Sequence, residues 1–485
     1  MPESRQSRQT VIFEDFIRGP AHTGLFFVVP VKHTCSVCTS LGELWFLSYP
    51  LVVTMAAQVV MQFADRMFLS WYSPQALGAC VPGGMLAMTF AAMFMGLAGY
   101  TSVFISQFDA KKKKASVTLS LWQGVFLALL SALILAALTP LGNASIHGFA
   151  HAAPVRALER EYFTILNLFG GLAVINNALG SFFSGRGQTK ITMYAALAGN
   201  LVNIVLDYMM IFGKLGFPAM GIKGAAWATV LGSGVITVIF CTLLFAGSAR
   251  TDFRISRLAG FYKPIFTRLV RFGLPNGFGF LMDVISFTLF TFMVGNIDTV
   301  SLQASNIVMS MQPVVFTVIM GLGVGIQILV SKYQGLKRSD VSVQVVKNAC
   351  KIGYAYAGSI ALLFFFGAPL FLHLFIPSGT PGGAEIATRT WPLMKLVSLF
   401  VLGDATYLIF GEAIRGAGDT KYYMHVMMGC AWLLLIPGTW LLVYKLQAPV
   451  VWVWSWLTFY AWLTAVFMLA RFLRGKWKTI QVTSA

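Results

Sequence analysis

Charge is scarce in this chain. Only 11% of its 485 residues are Asp, Glu, Lys or Arg, against about a quarter in a soluble domain. With 57% of the residues hydrophobic, no water-soluble fold can hide so much apolar surface, and a bilayer must serve as solvent. Cysteine is also sparse. Six are present, and only Cys35 and Cys38 stand as a C-x-x-C pair. No second pair completes a zinc site, so the motif reads as incidental. G-x-S-x-G, H-E-x-x-H and P-loop motifs are missing, which leaves a membrane enzyme without machinery. The first 40 residues lack both a spanning stretch and a small-residue cleavage site, and residues 1–42 read as a cytoplasmic lead-in.

What charge there is has a sign and a place. The formal net charge is +18, which could suggest nucleic acid. However, all but eight of the 35 Lys and Arg fall in alternate short gaps between apolar spans, in the lead-in or in the carboxyl-terminal segment. That is a membrane pattern, and nucleic acid is not an expected partner. Spans are expected near 44–69, 77–106, 117–139, 161–184, 190–212 and 221–245. A second set is expected near 268–294, 301–330, 349–376, 390–413, 422–444 and 449–470. The positive-inside rule then puts both termini in the cytoplasm.

The two sets are one unit written twice. Pro50 pairs with Pro275, Met95-Gly96-Leu97 recurs as Met320-Gly321-Leu322, and Ser106-Gln107-Phe108 becomes Ser331-Lys332-Tyr333, all offset by 225. Gly185, Gly187, Thr189 and Lys190 return as Gly416, Gly418, Thr420 and Lys421, offset by 231. Each half has an even number of spans, so the halves share one orientation, as in parallel-repeat transporters. The expected fold is an all-α membrane protein of twelve transmembrane helices in two six-helix bundles related by an internal parallel repeat. Its expected parts are the bundle 43–246, a cytoplasmic connector 247–267, the bundle 268–470 and a cytoplasmic tail 471–485. The connector reads as a hinge, lying along the inner leaflet or solvated as a plain loop.

Ionisable groups inside spans are costly and tend to be functional. Asp65 and Asp207 come late in outward-going spans and so sit at one depth. Asn203 lies four residues before Asp207 on the same helix face, and Thr229 falls at a similar level. Two carboxylates, an amide oxygen and a hydroxyl suit a proton carrier or a hard sodium ion. Asp283 and Asp404 place acid in the second half. Lys395 and Arg66 could pair with these acids or snorkel. Glu412 reads as a span-end charge, and His147, His151, His373 and His425 as bland. Pro82, Pro275, Pro313 and Pro437 fall inside apparent helices, as breaks that neighbours or a cavity must satisfy.

The run Gly199-Asn200-Leu201-Val202-Asn203 through Asp207-Tyr208, followed by Gly221-Ile222-Lys223-Gly224-Ala225-Ala226-Trp227, resembles a signature of the multidrug and toxic compound extrusion (MATE) family. Arg415-Gly416-Ala417-Gly418-Asp419-Thr420-Lys421 resembles its second signature, and Ala64-Asp65-Arg66 an element that ends the first span. The resemblance covers roughly 43 to 470. It implies an antiporter that exports amphipathic, often cationic, organic compounds in exchange for H⁺ or Na⁺ by alternating access, as a monomer in a bacterial inner membrane and with no cofactor beyond the coupling ion. It implies a cation site at Asp65, Asn203, Asp207 and Thr229, and a second acidic site at Asp283 and Asp404. Aspartate at 283 replaces the usual glutamate, and Arg66 the usual threonine. The alternative is a lipid-linked oligosaccharide flippase of the wider superfamily. Its phosphate-bearing cargo calls for a cavity lined by Arg and Lys, whereas midspan charge here is mainly acidic.

Overall fold

Twelve helices long and apolar enough to cross a membrane follow one another in a computed structural model, which describes residues 41–148, 151–247, 249–368 and 383–483. They are α1 Leu41–Tyr72, α2 Pro74–Ala110, α3 Lys114–His147, α4 Ala153–Gly185, α5 Thr189–Phe212 and α6 Ile222–Ala246. The second six are α7 Lys263–Gly295, α8 Thr299–Gly335, α9 Ser339–Phe366, α10 Gly383–Ala417, α11 Thr420–Lys445 and α12 Val450–Leu473. The pair Cys35 and Cys38, most of the lead-in and His373 lie outside the described residues.

Two spans are interrupted where glycine weakens the helix: α2 at Tyr100, after Gly99, and α4 at 169–170, before Gly171. In α11, two wide π turns, Cys430–Leu435 and Leu441–Lys445, flank the short segment that holds Pro437. Proline supplies no N–H, and π turns are a common way for a helix to absorb the missing bond. The ninth span starts ten residues earlier than expected. Lys347 and Lys351 look like loop charges, yet the helix runs through them with Val345 and Val346 buried.

The internal repeat is visible in the contacts. At one crossing of α2 and α8, Ser106 Oγ donates to the Ile328 carbonyl at 2.9 Å and Ser331 Oγ donates to the Val103 carbonyl at 2.8 Å. Both donors and both acceptors are 225 apart, so each bundle offers the other the same pair of groups. A little deeper, a Cβ on Gly96 would come within 2.7 Å of Gly277 Cα, and one on Gly321 within 2.7 Å of Val52 Cα. These contacts are again 225 apart. Small residues let helix backbones approach closely in a bilayer, where packing rather than a hydrophobic drive joins helices. The result is a seam between the bundles, at the end of the molecule that carries the basic gaps. Tyr333 OH and Lys332 Nζ on α8 close it further by reaching Glu43 on α1 at 2.9 Å each.

One expectation needs correction. The connector is neither a free hinge nor a solvated loop. Thr118 Oγ1 donates to the Phe253 carbonyl at 2.7 Å and Trp122 Nε1 to that of Ile255 at 3.0 Å, while Gln123 bonds both the Gly260 carbonyl and the Tyr262 amide. The Arg186 guanidinium lies 4.2 Å from the Phe253 ring centroid. The connector is therefore strapped to α3 of the first bundle. The carboxyl-terminal segment is packed as well. Trp477 is fully buried and stacked on Phe472. Gln334 holds the Lys478 and Ile480 carbonyls, and Thr483 bonds Gln107 and Lys111 of the first bundle. The segment thus bridges both bundles at the basic end. Trp477→Ala should release it, at about 3 kcal/mol or more for emptying so large a buried site. The readout is new protease sensitivity beyond Arg474 with all twelve helices retained; an unchanged digest would contradict this.

At the opposite end, Asp298 caps α8, accepting from the Ser301 amide at 2.8 Å and from Arg389 of α10 at 2.9 Å. Burial pushes its carboxyl up, but the Ser301 bonds and the Arg389 charge outweigh this and hold it below the ordinary 3.8. A carboxyl depressed on folding stabilises above its unfolded value, and that contribution is lost as pH falls through the folded one. Exchange protection in the first turn of α8 should therefore persist through neutral and mildly acid pH and fall only below 3.8. A loss beginning near neutrality would contradict it.

Candidate functional site

Asp65 on α1, Asn203 and Asp207 on α5 and Thr229 on α6 come together. Asn203 and Asp207 share a face one turn apart, and α5 packs along both α1 and α6. Close packing is allowed by Gly232, where a Cβ would meet that of Asn203 at 2.9 Å. Asp207 is completely buried, Asn203 is 1% exposed and Asp65 5%. The two carboxyls face each other at hydrogen-bonding range. Thr229 Oγ1 donates to the Ala225 carbonyl at 3.0 Å and accepts weakly from Asn203 Nδ2 at 3.4 Å. That leaves Asp65 Oδ1, Asn203 Oδ1 and both oxygens of Asp207 buried without a hydrogen-bond donor. Buried polar atoms are nearly always satisfied, and two adjacent carboxylates cannot both stay charged without a proton or a cation between them. The arrangement is built to hold positive charge.

Residues not singled out in the sequence complete the surroundings. Asn200, one turn before Asn203, is 6% exposed and its amide nitrogen also lacks a partner. Tyr162 of α4 and Cys80 of α2 lie close to one another and within electrostatic reach of Asp65. Asn200 was legible as a further polar residue on the face of Asn203, whereas Tyr162 and Cys80 meet the acids only through packing. Arg66 is exposed beside Asp65.

The second bundle holds a separate acidic group. Asp283 of α7 and Asp404 of α10 lie within electrostatic reach of each other and of Tyr460. Asp404 borders a narrow, partly open cleft with Gln312, Phe400, Val401 and Trp454, with enclosed room for little more than a water. Lys395 does not join these acids. It sits over the rings of Trp391 and Phe365 at 5.5 and 5.6 Å. His151 meets Glu159 at 2.6 Å and His147 meets Arg160, while His425 is exposed.

Two like bundles of six helices, each with acids sunk inside, define a polytopic membrane protein of the transporter class. The MatE family model matches residues 50–209 and 275–441, one stretch in each bundle, and the chain belongs to that family of transporters. A Pseudomonas syringae pv. tomato protein named as a probable multidrug resistance protein NorM is 27% identical over 459 residues, covering 91% of this chain and 96% of the relative. One of the same name from Thermotoga maritima is 26% identical over 450 residues, covering 90% and 93%. Among solved structures, an outward-facing multidrug resistance MATE transporter superposes with a TM-score of 0.81 at 18% identity, covering 91% of this chain and 97% of that one. A superfamily transporter from Pyrococcus furiosus gives 0.79 at the same identity and coverage.

Proposed function

We propose that the chain is a cation-coupled antiporter that exports amphipathic organic cations from a bacterium across the plasma membrane, with both termini cytoplasmic. The observation that carries this reading is the set of four buried oxygens on Asp65, Asn203 and Asp207 that have no donor. A proton shared by the two carboxyls, or a sodium ion taken by all four oxygens, would satisfy them. Asn203 and Thr229 supply neutral ligands, and Asp65 and Asp207 the charge. Asp404 lies beside Phe400 and Trp454, and a carboxylate next to aromatic rings is the chemistry that suits a greasy cation. Exchange follows if the inward-moving cation and the outward-moving cargo favour opposite conformations, since each ligand shifts the equilibrium only by its differential affinity. The positive-inside rule supports a cytoplasmic place for the basic ends, and with it a seam that closes the cytoplasmic side. A phosphate-bearing lipid cargo calls for a cavity lined by Arg and Lys, whereas the ligating groups described at these two sites are carboxylates, an amide and a hydroxyl.

The test is uptake of a fluorescent organic cation into proteoliposomes under an imposed proton gradient, then under a sodium gradient. One of them should drive accumulation, and so name the coupling ion. Silence under both would overturn the proposal.

A further inference from the structure

Arg415 stands at the end of α10 with its guanidinium enclosed. Nη1 donates to Glu412 Oε1 at 2.5 Å and Nε donates to Asn276 Oδ1 at 2.6 Å. Asn276 in turn donates through Nδ2 to the Gly96 carbonyl at 2.8 Å, across the seam in the first bundle. The main-chain carbonyl of Arg415 accepts from Tyr100 OH, also of the first bundle, at 3.0 Å. One residue therefore holds the seam with both its backbone and its side chain. Its other face meets Tyr423, and Asp283, two turns beyond Asn276 on α7, lies within electrostatic reach. The guanidinium lies 4.9 Å from the Tyr423 ring centroid, Tyr423 OH meets Tyr407 OH at 2.8 Å, and Asp283 feels the Arg415 charge. The charged and titratable groups around Arg415 are thus Glu412, Asp283, Tyr407, Tyr423 and Tyr100. Asp419 is engaged by Arg471 at 2.7 Å.

We propose that Arg415 is a positioning residue that couples occupancy of the Asp283–Asp404 site to closure of the seam between the bundles. An arginine keeps its charge when buried and must find counter-charge within reach. Two claimants are present, Glu412 on the seam side and Asp283 on the pocket side. A cation seated at Asp283 and Asp404 cancels the second pull and leaves Arg415 to Glu412 and Asn276, the arrangement that ties Asn276 to Gly96. With the acids empty and ionised, the guanidinium is drawn inward and Asn276 loses the partner that fixes its amide. Helix α7 carries both Asn276 and Asp283, with Pro275 next to the seam contact. Cargo arrival would then close the cytoplasmic side behind it, the order that export requires. The inference rests on the second-bundle acids taking a cation, as proposed above.

The experiment is a double-mutant cycle read as a distance. Spin labels go on Lys113→Cys and Leu336→Cys, exposed positions at the basic ends of opposite bundles, in an otherwise cysteine-free chain. Pulsed electron resonance in nanodiscs then gives the closed-to-open ratio. Asp283→Asn mimics a neutralised acid and should raise that ratio about fivefold or more, the lower end of ordinary allosteric coupling. In Arg415→Gln, Arg415→Lys and Asn276→Ala backgrounds the same change should move it by less than about twofold. Asn276→Ala leaves every charge in place, so it serves if Arg415→Gln fails to fold. An equal shift in all backgrounds, or none in the parent, overturns the proposal. Because distance and not uptake is measured, failure here is separable from failure of antiport.

Discussion

Asp207→Asn should abolish cation-driven uptake while leaving a well-folded protein. At about 4 Å, a unit charge pair in a partly screened protein setting is worth about 4 kcal/mol. Removing one of two carboxylates should therefore cost about two to three orders of magnitude in coupled transport. Thermal stability should stay level or rise, because the substitution removes a buried charge that faces another acid and has no donor of its own. Uptake by proteoliposomes and a melting curve on the same preparation separate the two effects. Transport within tenfold of the parent would remove Asp207 from the coupling site. Transport lost together with folding would make it a structural residue.

Gly277→Val should have the second large effect, by geometry rather than charge. A Cβ at this position lands on the Met93 carbonyl oxygen and lies 3.0 Å from the Leu97 amide, so backbone and not a yielding side chain blocks it. Overpacking of this kind typically costs 1–3 kcal/mol, occasionally more. A cost of about 3 kcal/mol, levied on the sealed state, tilts the conformational balance by roughly two orders of magnitude. The bundles themselves should fold, since the obstruction lies between them. Uptake should collapse, and the spin-label distance across the basic ends should lengthen. Gly429→Ala is the control, for no heavy atom stands within 4 Å of its Cβ. Normal transport by Gly277→Val would mean that the seam is not a working gate.

Much of this is legible in the sequence. The twelve spans depend on composition, and the doubling on two offsets, 225 and 231, that a comparison of the chain with itself shows. Asp65, Asn203, Asp207 and Thr229 could be grouped because helix spacing and span depth fix the height of each. Tyr162 and Cys80 could not, because which neighbouring helix turns which face toward an acid is decided by packing. Glu412 reads in sequence as a span-end charge, and Arg415 only as part of a signature run. Sequence does not show whether a helix end is wet or pressed against another bundle, and here the second holds. For Lys395 the sequence leaves pairing with an acid or snorkelling open, and the side chain rests on two aromatic rings, a contact no spacing rule demands. The connector reads in sequence as a hinge, along the inner leaflet or as a plain loop, and residues 471–485 simply as a tail. The apolar residues between their charges, Phe253, Ile255 and Trp477, carry the packing.

The reciprocal contacts between the bundles have an evolutionary corollary. In the assembled molecule Ser48 of one bundle lies against Gly325, and Tyr100 lies against Gly273. Under the 225-residue offset, Ser48 corresponds to Gly273 and Tyr100 to Gly325. Two copies of the first half, joined in the same manner, would set serine against tyrosine where each now has glycine. Two copies of the second half would set glycine against glycine and leave gaps. Neither half retains the shape to dimerise with itself, so whatever symmetric ancestor gave rise to this chain, its descendants have become lock and key to one another.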